Sequence, residues 1–253
     1  MSSIEEKRVY ADKIDETTVY LASELGVVRV SVSGDQIGEF GIEYRGTARD
    51  LAWIGELVVA TDEEVLIDGS STEFGPAVAV GGNEEPIAVS PDGRVARYDG
   101  SGWEAVGQVA GIRAADGDLL ATDEGIYRVG SDLQHVGLET VNDISTHGVP
   151  LAATTSGLYR LGNGWMRDLE GRFERVAGTG SAGELHRACA LGNQFFVYDG
   201  EWNERESMEP FAAVAVGEGF YGVTTDGTLF VDAGDGWRSQ ALGVSGVRAM
   251  VVN

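Results

Sequence analysis

The chain has 253 residues, 43% of them hydrophobic, and its 41 Asp and Glu against 18 Lys and Arg give a formal net charge of −23. The apolar residues lie in short runs, so no segment approaches the roughly 20 apolar residues that a membrane-spanning helix needs. A single cysteine, Cys189, excludes an internal disulfide and a thiolate-rich metal cluster within one chain.

The N-terminal segment MSSIEEKRVY carries acids where a secretory signal has a basic start and an apolar centre. We therefore expect a cytoplasmic protein that does not associate with membranes.

From residue 19 onwards, a pair of short apolar runs separated by a polar turn recurs along the chain, as in a tight β-hairpin. The copies are VYLASELGVVRVS (19–31), LVVATDEEVLIDG (57–69), PIAVSPDGRVARYDG (86–100), LLATDEGIYRVG (119–130), LAATTSGLYRLG (151–162), RACALGNQFFVYDG (187–200) and YGVTTDGTLFVDAG (221–234). Most copies place Gly in the turn, where a positive φ would favour it, and Glu64 is an exception. The period of about 33 residues leaves room for four short strands per unit.

A bulky residue follows each turn and begins the outer strand of the unit. These residues are Ile37, Phe74, Trp103, Leu133, Trp165, Trp202 and Trp237. One bulky residue per repeat is typical of the seam between stacked sheets, so we assign them to the core.

A segment of small residues precedes each hairpin, for example ARDLAW (48–53) and VNDIS (141–145), and suits the innermost strand of a blade. The sequence therefore predicts a single all-β domain over 1–253, a seven-bladed β-propeller of short four-stranded antiparallel blades, with six blades as the alternative. The last such segment, VRAMVV (247–252), has no hairpin after it and is expected to close the ring, although Arg8 to Asp12 competes for that position.

The motifs ATDEGIYRV (121–129) and ATTSGLYRL (153–161) resemble the propeller repeats of two-component regulator sensors, and the Gly-x-Leu-Tyr pattern followed by Trp is similar to quinoprotein-type repeats. The whole chain resembles the acidic propellers of halophilic archaea. The Trp-Asp dipeptide of WD40 scaffold propellers is absent. This resemblance implies a fold and no particular reaction.

The acidic excess fits a protein adapted to molar salt, because a Debye length of about 3 Å at 1 M screens most of the repulsion. The same charge disfavours nucleic acid as a partner, since phosphate binding needs a basic stripe. We expect another protein as the partner, and the oligomeric state stays open.

Two groups of residues are candidate ligand-binding sites. The first comprises polar residues on or beside the inner strands, at the channel: Arg49, Asp50, Arg113, Asn142, Asp143 and Arg248. The second flanks the glycine-rich loop 178–183 and suits an anionic metabolite, with structural ion pairs as the alternative: Arg172, Arg175, His186 and Arg187.

No cofactor or metal is firmly predicted. The three histidines lack ligand spacing, and the GxGxxG match at 178–183 is interpreted as a widened turn and not as a dinucleotide site. A divalent cation stays open, because carboxylates suit hard cations. The turn acids Glu24, Glu63, Asp92, Asp123 and Asp226 are expected to share one rim.

No GxSxG, P-loop or HExxH motif occurs, so the leading hypothesis is a noncatalytic protein-interaction scaffold. The alternative is a small-molecule or divalent-metal enzyme with its site at the channel mouth. Propeller enzymes scatter their site residues over several blades, so whether the protein is an enzyme stays open.

Overall fold

The computed structural model describes residues 16–206 and 209–253 as a closed ring of seven four-stranded antiparallel sheets. The predicted seven-bladed β-propeller is confirmed, and the six-blade alternative is wrong. In each blade the strand nearest the channel is the small-residue segment, and the strand at the periphery follows the hairpin, as the repeat predicts.

The strands are numbered in chain order. Blade 1 contains β1 (Glu16–Ser23), β2 (Gly26–Ser33), β3 (Gln36–Arg45) and the C-terminal β28 (Ala249–Val252). Blade 2 contains β4 (Ala48–Trp53), β5 (Leu57–Thr61), β6 (Val65–Ile67) and β7 (Ser70–Ser71). Blade 3 contains β8 (Ala79–Gly82), β9 (Pro86–Val89), β10 (Arg94–Tyr98) and β11 (Trp103–Gln108). Blade 4 contains β12 (Ile112–Asp116), β13 (Leu119–Thr122), β14 (Gly125–Val129) and β15 (Leu133–Gly137).

Blade 5 contains β16 (Val141–Ser145), β17 (Leu151–Thr154), β18 (Gly157–Gly162) and β19 (Gly164–Glu170). Blade 6 contains β20 (Phe173–Thr179), β21 (Arg187–Gly192), β22 (Phe195–Tyr198) and β23 (Trp202–Arg205). Blade 7 contains β24 (Phe211–Val216), β25 (Phe220–Thr224), β26 (Thr228–Asp232) and β27 (Arg238–Ala241).

A buried hydroxyl fixes the repeated hairpin turn. In blade 2 the Thr61 hydroxyl donates to the Glu64 carbonyl at 2.7 Å and accepts the Glu64 N–H at 2.9 Å. The predicted positive φ is present at Gly26, where an added Cβ would lie 1.8 Å from the Tyr44 carbonyl oxygen, but not at Gly157. The face of the ring that carries these turns is called the hairpin face below.

The core lies in the seams between blades. Trp103, Trp165, Trp202 and Trp237 pack there as predicted, each against a cluster of buried side chains. Three of these indoles also donate their Nε1–H to the preceding blade, to Thr72 O, Val136 O and Asp168 Oδ2 at 3.0 to 3.1 Å. Phe74 is buried in its seam but lies after the outer strand of blade 2, because that strand is only two residues long.

The C-terminal strand closes the ring. Val252 pairs with Val19, and Thr18 and Asn253 exchange two backbone hydrogen bonds of 2.9 Å. The competing segment Arg8 to Asp12 lies outside the described residues.

Within residues 16–206 and 209–253, no helix has the length and the apolar character that crossing a membrane requires.

Candidate functional site: the central channel

The innermost strands of all blades surround a central channel with a cavity volume of about 970 Å³. Each inner strand begins at the hairpin face, so residues at the start of these strands lie near that mouth. Six of the predicted ligand-binding residues line the channel: Arg49, Asp50, Arg113, Asp143, Arg175 and Arg248.

Asp50 and Asp143 occupy equivalent positions, next to a β-bulge early in the inner strands of blades 2 and 5. Each carboxylate accepts two backbone N–H groups. Asp50 binds Leu51 at 2.9 Å and Val80 of blade 3 at 3.0 Å, while Asp143 binds Ile144 at 3.0 Å and Val176 of blade 6 at 2.9 Å. Both side chains therefore tie their inner strand to the next blade.

The pKa values of these two carboxyls are raised. Burial among protein atoms raises the pKa of Asp50 to about 7, although two backbone N–H donors oppose the shift and the charge of Asp143 adds to it. Burial also raises the pKa of Asp143 to about 6, and the Arg175 guanidinium limits this shift. Near neutral pH the channel therefore holds carboxyls that can carry a proton.

Asp116 is a third channel carboxylate that sequence reasoning missed. It ends the inner strand of blade 4 and accepts hydrogen bonds from the backbone N–H of Thr146 at 2.6 Å and from its hydroxyl at 3.0 Å. The His147 imidazole Nδ1 lies 3.7 Å from the same carboxylate, which raises the pKa of His147. Asp116 thus joins blade 4 to blade 5 near the opposite mouth.

Arginines at the hairpin-face mouth form ion pairs with turn acids of their own blades. Arg113 Nε lies 2.6 Å from Asp123 Oδ1, and Arg49 Nη2 lies 2.8 Å from Asp62 Oδ2. Arg248 and Glu24 repeat this arrangement in blade 1 at 3.8 Å. Arg175 differs, because it donates to the backbone carbonyls of Glu174 and Ala212.

Four other predicted site residues do not line the channel. Asn142 is buried and donates to the Phe173 carbonyl at 2.7 Å, so it is a structural residue of the seam. Arg172 pairs with Glu174, His186 lies near Glu184, and Arg187 donates to the Glu218 carbonyl. Each of these three residues has a different partner, so they do not form the cationic cluster that was expected at the glycine-rich loop.

Among the described residues, no group of three or more His, Cys, Asp or Glu side chains could hold a metal ion. Four of the five turn acids expected to share a rim have local partners. Asp92 accepts from Ser90 and Asp226 from Thr224, while Asp123 and Glu24 pair with Arg113 and Arg248.

The glycine-rich loop and the lone cysteine likewise have structural roles. The connection between β20 and β21 contains no helix, which agrees with a widened turn. Cys189 is fully buried and its thiol pKa is raised by that burial, which is unsuited to a nucleophile.

A family model described as "Beta-prop_HVO_0234:-like, beta propeller" matches residues 3–253. Among curated proteins, none matches the sequence.

Solved structures share the fold at low identity. A chain of the BBS1N complex with ARL6DN has a TM-score of 0.62 at 12% identity, covering 90% of this chain and 89% of that one. A chain of the nidogen/laminin complex has a TM-score of 0.60 at 10% identity, covering 93% and 98%. YCF48 bound to D1 peptide has a TM-score of 0.58 at 14% identity, covering 82% and 92%.

Proposed function

This chain belongs to the HVO_0234-like β-propeller family, and from that premise we propose that it is a noncatalytic scaffold that binds another protein in a cytoplasm of high salt. One observation carries the proposal. Of the four large hydrophobic residues that are exposed on the described surface, three belong to blade 1: Leu25 (49% exposed), Phe40 (42%) and Ile42 (38%). Phe40 and Ile42 are neighbours on one face of β3, and adjacent exposed apolar side chains mark interaction surfaces.

The outer strand of blade 1 explains this exposure. Phe40 and Ile42 are the cross-strand partners of Val30 and Val28, which are buried in the seam with blade 7. The two exposed side chains therefore face blade 7 as well. They stay uncovered because β3 has ten residues whereas β27, the outer strand of blade 7, has four. Phe40 and Ile42 are called the blade-1 patch below.

A protein partner fits this patch better than a small molecule does, because its two side chains are exposed on an outer strand, whereas small-molecule sites are concave. Molar salt strengthens apolar association and screens the repulsion that a net charge of −23 would impose on an acidic partner. The BBS1N, nidogen/laminin and YCF48 structures are themselves complexes with proteins or a peptide. They lend the proposal support at the level of the fold alone.

Affinity capture in molar KCl from the source cells tests the proposal. We expect the wild type to retain a partner in stoichiometric amount, and the double variant F40S/I42S to lose it. Met166, the fourth exposed hydrophobic residue, lies on blade 5 and supplies the matched control M166S, which should retain the partner. Absence of a stoichiometric partner, or equal capture by F40S/I42S, would contradict the assignment.

A second candidate is a small-molecule or divalent-metal enzyme with its site in the channel. The raised pKa values of Asp50 and Asp143 favour it, because such shifts in a concave site are common at catalytic centres. Metal analysis of the purified protein and of D50N/D143N tests this candidate. A stoichiometric divalent ion that the double variant lacks would favour the enzyme, and its absence from both proteins would count against metal-dependent chemistry.

A further inference from the structure

A second cavity of about 170 Å³ lies at the periphery of the ring, between blades 6 and 7. Three aromatic residues line it: Phe195 on β22, Phe220 on β25 and Trp237 immediately before β27. These residues come from three separate strands or turns, so no local sequence motif predicts the pocket. It shares no lining residue with the central channel.

The aromatic wall of this pocket is held rigidly. The Phe195 and Trp237 rings are in edge contact, with centroids 5.7 Å apart and planes at 61°, and Phe211 packs against both at 5.8 and 5.5 Å. Phe220 packs on the same core cluster but makes no ring contact with Phe195 or Trp237 within the described chain. Phe195 is only 1% exposed, so the aromatic surface that the pocket presents to a ligand comes from the half-buried Phe220 and Trp237, with Phe195 packed behind Trp237.

Trp237 differs from the other tryptophans at its repeat position. Trp103, Trp165 and Trp202 each donate the indole N–H to the preceding blade. Within residues 16–206 and 209–253, Trp237 makes no such bond, and no buried side-chain nitrogen is left without a partner. Trp237 therefore packs between blades 6 and 7 without the indole hydrogen bond that the other three make, and its N–H is not buried.

The pocket also carries negative charge. Asp232 lines it and accepts the backbone N–H groups of Gly234 at 2.8 Å and Gly236 at 3.2 Å, both through Oδ1. Its Oδ2 has no hydrogen bond in the described part of the chain. Arg205 and Glu206 at the rim offset each other in charge, so Asp232 gives the pocket its net charge of −1.

We propose that this pocket binds an alkylated ammonium group, either free or at the end of a side chain. Aromatic faces within about 6 Å attract cations, and an alkylated ammonium gives up its hydration more readily than K⁺ or Na⁺ does. The volume equals roughly five to six water molecules at about 30 Å³ each, which fits a tetramethylammonium ion of about five non-hydrogen atoms. The carboxylate of Asp232 supplies the counter-charge.

Isothermal titration of the full chain with tetramethylammonium chloride in molar KCl tests this site, with a peptide containing trimethyllysine as a second arm. Saturable binding at one site per chain is expected in at least one arm, and neopentyl alcohol, a neutral molecule of similar shape, should bind at least tenfold more weakly. Binding of the free ion points to a metabolite, and binding of the peptide alone points to a side chain. No saturable binding in either arm, or equal binding of the alcohol, overturns the proposal.

Two variants locate the binding. D232N preserves the oxygen that accepts the glycine N–H groups but removes the charge, and should weaken binding about three- to tenfold. Its matched control is D99N, because Asp99 caps the equivalent turn of blade 3 in the same way, at 2.8 and 3.0 Å. F220L should weaken binding by a similar factor, because it removes an aromatic face while Leu keeps an apolar side chain against the core cluster. Equal affinity for D232N and D99N, or no effect of F220L, would place the ligand elsewhere.

Discussion

The Asp50 carboxylate of blade 2 accepts the backbone N–H of Val80 in blade 3 at 3.0 Å, which joins two inner strands that share no ladder of hydrogen bonds. Asp143 and Asp116 make corresponding contacts from blades 5 and 4. These three channel carboxylates therefore have a structural role, because each one joins its blade to the next by a hydrogen bond. A site in the channel would have to use the same carboxylates without breaking those ties.

The stability of the protein is expected to fall as pH rises from about 4 to 7. The folded-state pKa values of Asp50 and Asp143, about 7 and 6, lie above the ordinary value of 3.8, so the folded state binds protons more tightly than the unfolded state in this window. Its stability is therefore highest below the unfolded pKa and is lost as pH rises through the folded values. The change amounts to a few kcal/mol for the two residues together.

Urea unfolding of the wild type and D50N/D143N between pH 4.5 and 8 in constant molar KCl measures this effect. The slope between pH 4.5 and 6 should disappear in the double variant, whereas the raised pKa of His147 should leave a slope above about pH 6.5 in both proteins. The variant should be less stable overall because each amide leaves one backbone N–H without its acceptor. D226N is the control, because a hydrogen bond from Thr224 lowers the pKa of Asp226 and moves its titration below this window. A double variant with the wild-type slope would refute the assignment.

The seam tryptophans should differ in their contribution to stability. W165F removes an indole N–H that donates to the Val136 carbonyl at 3.0 Å, and leaves that acceptor unpaired in a part-buried seam. W237F removes no such bond. We expect W165F to lower the free energy of unfolding by about 1–2 kcal/mol more than W237F does, as measured by urea titration. Equal losses would mean that the indole hydrogen bonds add nothing beyond packing.

The repeat predicted the fold because one strand pattern recurs at near-constant spacing. The order of residues within each copy therefore identifies its hairpin turn, its seam residue and its inner strand. The channel residues were harder to predict. Asn142 occupies the bulge position that Arg49 and Arg113 hold in blades 2 and 4. Those two arginines line the channel, whereas the Asn142 amide donates to the Phe173 carbonyl of the next blade. Asp116 was missed because it lies at the far end of its strand, out of register with Asp50.

The pocket at Trp237 has no sequence signature, because its residues meet only after blades 6 and 7 pack.

Lowering the salt concentration should unfold the protein. The chain has a net charge of −23, and Asp and Glu residues occur on all seven blades. At about 0.01 M salt the Debye length grows to about 30 Å, so carboxylates repel one another across several blades. Circular dichroism melts in 2 M and 0.01 M KCl should show a markedly lower Tm in dilute salt. Sucrose, which is excluded from protein surfaces but screens no charge, should restore only part of the loss. An unchanged Tm would contradict adaptation to salt.

Removal of the closing strand should be far more damaging than trimming the terminus. Residues 249–253 contribute Met250 and Val252 to the seam with blade 7, and Ala249 and Val251 to the seam with blade 2. Without them, the inner edge of β1 is left unpaired and two apolar seams are opened, so the truncated chain should lose at least several kcal/mol and aggregate. Removing Asn253 alone breaks two backbone hydrogen bonds with Thr18 and should cost only about 1–3 kcal/mol. Chemical unfolding and light scattering compare the two truncations. A soluble 1–248 chain with wild-type stability would mean that β28 does not hold the ring closed.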